Sequence, residues 1–412
     1  MLGFGSSKKD SPAPVSLQDI VAAQAHIRKV LPITSLTTSV ALSERSGIEV
    51  LLKWENKLKT GSFKERGAVN ALSTLSEKQR ARGVCAASLG NHALALSHHS
   101  ARFKVPCVIV MPLNAPLIKI QSTKNTGAEV ILHGQNFNEA YEYALKLADE
   151  RGLRFVSAFD DRDVIAGQGT AGLELLDQCS DFDSVIVPVG GGGLISGIAT
   201  AIKSHRPEVF VLGVRSDWVT KSHEKGQAVA PLLPSVSIAD GIAVKRPGQL
   251  TAPIIKQYVD KVISLSEAEI ADSIIGFLEL ERVVVEGAGA VGFSAVLGKY
   301  LPSSCKKAII VVSGSNIDMN VLSRLIERDM GERGRLLRIV ASVPDRPGSL
   351  HTVTGILSRA GANVLQVVHD RSFSQVPGNV DITFLLEVKD SQHKTVIIKT
   401  LRDAELDVRE LA

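Results

Sequence analysis

The stretch Lys59–Ala68, KTGSFKERGA, sets a lysine just after a Gly-Ser pair. Ser62 and Glu65 have the S-x-x-E spacing of a capping box, and Ala68, Ala71 and Leu72 follow at helical intervals. This predicts a helix with Lys64 at its second position. A cation there faces the positive end of the macrodipole, which favours the neutral amine. An amine of lowered pKa is the nucleophile of carbonyl and imine chemistry. A solvated surface lysine would show the same spacing, and only its company separates the two.

That company begins with Val185–Ile202, VIVPVGGGGLISGIATAI, which reads as a strand, the glycines Gly190 to Gly193, then a helix. Bare N–H groups and the dipole at a helix start make an anion cradle, and glycines let the backbone approach closely. With no basic residue in the loop, a phosphate would be held by backbone alone. The run is no P-loop, lacking G-x-x-x-x-G-K-[ST]. It also fails the dinucleotide fingerprint, because the third glycine position falls on Ile195 or Ser196 and Arg215 stands where a ribose-binding acid is expected. As a merely flexible turn, the quartet would cost roughly 1 kcal/mol per glycine in chain entropy.

Gly83–His92, GVCAASLGNH, reads as strand, turn and a helix starting near Asn91. Ser88, Gly90, Asn91 and His92 present amides there, suited to a carboxylate. Asn91 could bind a ring hydroxyl or act only as an N-cap. In Ile309–Asn316, IIVVSGSN, Ser313 ends an apolar strand, the place where ligands of open α/β sheets bind. An amine, a phosphate cradle, a carboxylate site and a strand-end hydroxyl together match an aldehyde cofactor carrying a phosphate and a pyridine ring.

The elements that must position these residues are legible in the rest of the chain. Apolar runs at Val105–Val110, Glu129–Leu132, Ser184–Val189, Val209–Val214 and Ala308–Val312 alternate with helical patterns such as Asn138–Glu150 and Glu267–Glu279. This predicts parallel α/β sheets buried on both faces. Residues 1–14 read as a loose tail, 15–325 as the catalytic region with a small subdomain at about 82–157, the charged 326–334 as a linker, and 335–412 as a separate unit. In that last unit, strand Leu337–Val343, helix Ser349–Arg359, strand Ala362–His369, strand Asp381–Val388, helix Thr395–Asp403 and a short strand give the ferredoxin-like βαββαβ order.

Composition narrows the class. The chain has 412 residues, a net charge of +4 and 4% aromatics, which excludes a nucleic-acid stripe and a base-stacking platform. Cys85, Cys107, Cys179 and Cys305 form no C-x-x-C and read as reduced thiols of a cytoplasmic protein. The histidines form no metal-ligand spacing, and His98-His99 reads as a helix surface pair. No apolar run reaches membrane-spanning length, and the N-terminal stretch lacks the apolar core of an export signal.

The stretches TGSFKERGA, SLGNHA, VIAGQGT (Val164–Thr170), VGGGGL, IADGIAV (Ile238–Val244), EGAGAVG (Glu286–Gly292) and SGSNID, spread over about residues 30 to 318, resemble the fold-type II pyridoxal-phosphate enzymes, and within them the threonine and serine dehydratases. The resemblance implies two open parallel sheets with helices, like the tryptophan synthase β fold. It also implies roles. Lys64 would hold the cofactor as an imine and later move the α-proton, with Phe63 packed beside the ring. Gly190, Gly191, Gly192, Gly193 and Leu194 would bind the phosphate, Asn91 the ring's 3′-oxygen and Ser313 the pyridine nitrogen. Ser88, Gly90, Asn91 and His92 would bind the substrate carboxylate, and Glu286 would lie near the cofactor. A hydroxyl at the pyridine nitrogen makes the ring a modest electron sink, suited to prompt loss of a β-hydroxyl protonated by the cofactor phosphate.

The reaction implied is deamination of L-threonine to 2-oxobutanoate and ammonia, and of L-serine to pyruvate. Alternatives are a serine racemase or another β-eliminating or β-replacing enzyme of this fold, a nucleotide-dependent oxidoreductase, and a non-catalytic amino-acid sensor. Leu89 stands where related dehydratases carry a small residue and racemases a serine; it cannot pass a proton, which favours the lyase, and its bulk bears on substrate size. Arg215 stands where relatives place an acid at a cation site, so no metal is expected. Ser157-Ala158 replaces the usual His-Pro, and Ser315 a glycine. Residues 335 to 412 resemble the ACT amino-acid-sensing domains through PDRPGSL (Pro344–Leu350) and GANV (Gly361–Val364). That implies an effector near Asp345, Pro347, Gly348 and Leu350, isoleucine if the enzyme is biosynthetic, with valine, serine or no ligand left open, and a homodimer or homotetramer. A domain that only dimerises is the alternative.

Overall fold

The computed structural model describes residues 14–217, 237–244, 248–371 and 376–411, and residues 1–13 of the expected tail lie outside them. The chain divides into Met1–Ile317 and Asp318–Ala412.

The first unit holds two sheets. The larger runs Leu36–Thr38, Glu49–Trp54, Lys307–Val312, Ser184–Pro188, Phe210–Ser216, Lys261–Leu265 across its width. Only the first pair is antiparallel. The smaller runs Glu129–Leu132, Cys107–Met111, Val84–Ala87, Arg154–Phe155, all parallel. Val84–Ala87, Cys107–Met111 and Ser184–Pro188 are buried along their whole length, because helices cover both faces. This is why they read as unbroken apolar runs. Lys307–Val312 lies between Glu49–Trp54 and Ser184–Pro188, with Ile309 beside both Leu51 and Val185. The carboxyl ends of these neighbours therefore bring Ser313 and Gly190 to one rim, where open α/β sheets bind ligands.

The helix Lys64–Ser73 packs against the long helix Arg162–Gln178. The approach is too close for side chains at the crossing: a Cβ on Gly167 would lie 2.6 Å from the carbonyl oxygen of Arg66. Gln168 Oε1 accepts the Gly67 N–H at 3.2 Å. The motif VIAGQGT is thus the seat of the lysine helix. The expected helix Glu267–Glu279 is α-helical through Gly276 and continues as a π-turn, Phe277–Glu281.

In the second unit, the stretch 326–334 is not the expected linker. A helix Met319–Glu332, N-capped by Asp318, covers most of it, and the break between units falls before Asp318 rather than after residue 325. Its charges are the outer face of an amphipathic helix, whose Leu322 and Leu325 are buried. Arg328–Glu332 and Arg333–Asp329 pair along that face. Beyond it the order is βαββαβ, with an antiparallel sheet Asn363–Asp370, Asn379–Glu387, Leu336–Pro344, Asp407–Leu411. Asn379–Glu387 alternates buried and half-buried residues. Its inner face, with Ile382, Phe384 and Leu386, packs on Val353 and Leu357 of helix Ser349–Arg359 and on Ile397 and Leu401 of helix Ser391–Asp403.

Candidate active site

The lysine turn is built differently from the capping box its sequence suggests. Phe63 takes the N-cap position in a helical conformation, and no side chain caps the helix. Lys64 is therefore the first helical residue, not the second. Ser62 is drawn away from capping by a backbone bridge to Gly314 at the end of the Ser313 strand. The Ser62 hydroxyl is buried with no partner. Phe63 N–H donates to the Ser313 carbonyl at 3.0 Å and Ser315 N–H to Gly61 at 2.9 Å. Lysine turn and strand-end serine are thus pinned together by main chain.

The Lys64 amine donates to the Ala158 carbonyl at 2.6 Å and lies 4.9 Å from the centre of the Phe63 ring. Burial lowers its pKa to about 8, and the negative charge of Glu286 partly opposes this. Burial also pushes Glu286 up to about 7, helped by Asp240 and opposed by the Asn91 hydrogen bond.

Next to Ala158, Phe159 reaches the glycine quartet. A Cβ on Gly191 would fall 2.2 Å from the Phe159 ring, one on Gly190 would fall 2.3 Å from the Gly241 carbonyl, and Gly192 has φ +95. Every larger residue is excluded, which is what a backbone cradle needs. The Gly191 carbonyl is taken by Thr251 Oγ1 at 2.7 Å and by Gly248 N–H at 3.2 Å. No side chain caps helix Gly193–His205, so the first amides, Leu194 included, stay available to an anion. With the Lys64 amine on Ala158, the neighbour of the Phe159 that packs on this loop, the donor set fits a phosphate-bearing aldehyde.

At the small sheet, helix Asn91–Phe103 starts behind Gly90, again with no side-chain cap from that residue. Asn91 is not the cap. Its Nδ2 donates to Glu286 Oε1 at 2.7 Å, and its Oδ1 accepts from Asn316 Nδ2 at 2.7 Å. The Ser88 hydroxyl accepts the N–H groups of Gly90 and Ala93, each at 3.3 Å. The His92 ring turns inward to the Val156 carbonyl at 2.9 Å. Burial and the nearby Lys64 charge lower its pKa to about 4, so it is neutral and faces the cradle only through its amide. Leu89 packs on the small core. Arg215 donates to Ser264 at 3.1 Å across neighbouring strands. Among the described residues no cluster of His, Cys, Asp or Glu could hold a metal ion.

The structure also adds residues that the sequence reading passed over. Arg66, fully buried, forks onto Glu55 (2.7 and 2.8 Å) and Glu174 (2.7 and 2.8 Å). Lys53 donates to Glu174 at 2.6 Å and to the Thr34 carbonyl at 2.9 Å. The signal was a lysine inside the apolar run EVLLKW and a Glu-Arg pair directly after Lys64. His99 is no surface residue: it is 1% exposed and bonds Glu65 at 2.7 Å, because that helix face turns toward the lysine turn. In the second unit Gly348, φ +96, caps helix Ser349–Arg359, and Asp345 pairs with Arg371 at 3.3 Å. Leu350 there is 40% exposed, and Pro347 and Gly348 precede the helix.

Two open α/β sheets with a lysine, a glycine cradle and a strand-end serine on one rim define a class of cofactor enzyme. The family model for pyridoxal-phosphate dependent enzymes matches residues 27–314, and the chain belongs to that family; a model for the ACT domain matches residues 337–406. Pyridoxal phosphate is its cofactor. The chain is 48% identical over 399 residues, 96% of this chain and 99% of the relative, to an L-threonine ammonia-lyase of Thermotoga maritima. The processed form of threonine deaminase isoform 2 from Solanum lycopersicum superposes with TM-score 0.69 at 33% identity, over 76% of this chain and 92% of that one. Maize serine racemase superposes with TM-score 0.69 at 32% identity, over 77% and 98%.

Proposed function

We propose that this chain is an ammonia-lyase that converts L-threonine to 2-oxobutanoate and ammonia, and L-serine to pyruvate and ammonia. When bound, pyridoxal phosphate supplies an electron sink that acidifies the α-proton and lets the β-hydroxyl leave. Lys64 is the attachment point and, once its amine is free, the base that takes the α-proton. A pKa of about 8 suits both duties, since the amine is partly neutral at physiological pH. The amides of Gly190 to Leu194 hold the phosphate, Asn91 the ring oxygen and Ser313 the ring nitrogen. Ser88, Gly90, Asn91 and His92 hold the substrate carboxylate. The observation that carries this reading is the lowered Lys64 amine on a turn bonded to the Ser313 strand end.

Racemisation needs an acid on the cofactor face opposite Lys64. Leu89 offers no proton and packs on the small core, which favours elimination. Assay of keto-acid release from L-threonine and L-serine, with chiral analysis of residual substrate, tests this. Keto acid is expected from both, and D-serine as main product would overturn the lyase reading. The ACT unit supports an amino-acid effector, isoleucine or valine, at the start of helix Ser349–Arg359 around Asp345, Pro347, Gly348 and Leu350, in a homodimer or homotetramer. Four free thiols fit a reducing cytoplasm, and among the described residues no helix is long and apolar enough to cross a membrane.

A further inference from the structure

We infer that Glu65 and His99 are positioning residues that set the distance between Lys64 and the substrate-carboxylate cradle, an inference that rests on the roles proposed above. Glu65 follows Lys64 directly and is fully buried. One of its oxygens accepts the Thr60 N–H, which opens the lysine turn, and the other bonds His99 Nε2 at 2.7 Å. The carbonyl of the same Thr60 accepts from Asn316 Nδ2 at 2.7 Å, and that nitrogen also donates to Asn91 Oδ1 at 2.7 Å. Asn91 and His99 lie on one helix, Asn91–Phe103. Eight residues apart, they are separated by about 12 Å of helix axis at 1.5 Å per residue.

The bonds therefore close a ring. It leaves the lysine turn at Thr60, crosses by Glu65 to His99, runs up the helix to Asn91, and returns through Asn316. Two ties at separated points fix both the position and the tilt of the cradle helix relative to Lys64, where a single tie would leave a pivot. The alternative is a polar pair that merely fills core. An apolar pair of similar volume would fill that space without the desolvation cost of a buried carboxylate. The fold moreover tolerates a buried His99 Nδ1 with no partner, a price that simple filling does not require. What the apolar pair lacks is the directed bond to the Thr60 amide.

The test uses the full-length holoenzyme with His99→Leu, His99→Gln, Glu65→Met and Lys64→Ala. Readouts are kcat and KM for L-threonine, bound cofactor, and the pH midpoint of Lys64 labelling by an amine reagent in the cofactor-stripped protein. His99→Leu is expected to keep cofactor on Lys64 yet lose about tenfold or more in kcat/KM, as small misplacements near chemistry do, and to move the Lys64 midpoint. His99→Gln, whose amide still donates to Glu65, is expected to recover most of both. Glu65→Met, close in volume, removes both acceptors and is expected to match His99→Leu, so it carries the test should His99→Leu not fold. Unchanged kcat, KM and midpoint in Glu65→Met or His99→Leu overturns the inference, as does equal loss in His99→Gln and His99→Leu. Full activity in Lys64→Ala would instead overturn the proposed function beneath it.

Discussion

The proposed reading gives Lys64 two tasks, covalent attachment and proton removal, and both need a neutral amine. Burial beside Ala158 and Phe63 serves both by favouring the neutral form. In the cofactor-free protein its labelling by an amine reagent is expected to be half-complete near pH 8. Glu286 holds that value up, so Glu286→Gln is expected to lower the midpoint further, and a rise would contradict the assignment. Gly191 gives a second test. A methyl there meets the Phe159 ring at 2.2 Å. Overpacking of this kind costs about 1–3 kcal/mol, or about tenfold in affinity for each 1.4 kcal/mol. Titration of the stripped Gly191→Ala protein with pyridoxal phosphate is expected to show binding weaker by about tenfold or more.

Helix Lys64–Ser73 is held from below by charge and from its side by glycine contact. Arg66 is closed between two carboxylates, and removing it leaves Glu55 buried without a cation and Glu174 with Lys53 alone. Arg66→Met is expected to destabilise by about 3–5 kcal/mol, read from denaturant unfolding. The cradle helix adds a pH dependence. His92 ionises near 6.5 when unfolded and near 4 when folded. Below 6.5 the unfolded chain binds the extra proton, so stability falls as pH drops from 6.5 toward 4. Stability measured across that window is expected to decline less steeply in His92→Gln. The sequence announced most of these elements, because buried parallel strands leave apolar runs and helix starts after glycine leave a short signature. The Ser184–Gly193 and Val84–His92 turns were legible for that reason. What it hid was long-range: Ser62 looked like a cap until the Gly314 bridge claimed its backbone, and His99 looked solvated until Glu65, 34 residues earlier, was seen against it. Residues 326–334 looked like a tether because an exposed helix face and a linker have the same charge density.

The whole chain joins a pyridoxal-phosphate unit to an ACT unit, and the proposed reading gives the second the sensing of an amino acid. Isoleucine or valine is expected to shift the L-threonine saturation curve of the intact protein, and Gly348→Val, forcing a branched residue into φ +96, is expected to abolish that shift while leaving activity without effector intact. All of this presupposes that the cofactor is bound through one particular amine. Reduction of the holoenzyme with borohydride, digestion and mass mapping of every lysine peptide tests it most directly. The pyridoxyl mass is expected on the peptide containing Lys64; finding it on another lysine, with the Lys64 peptide unmodified, would contradict the assignment.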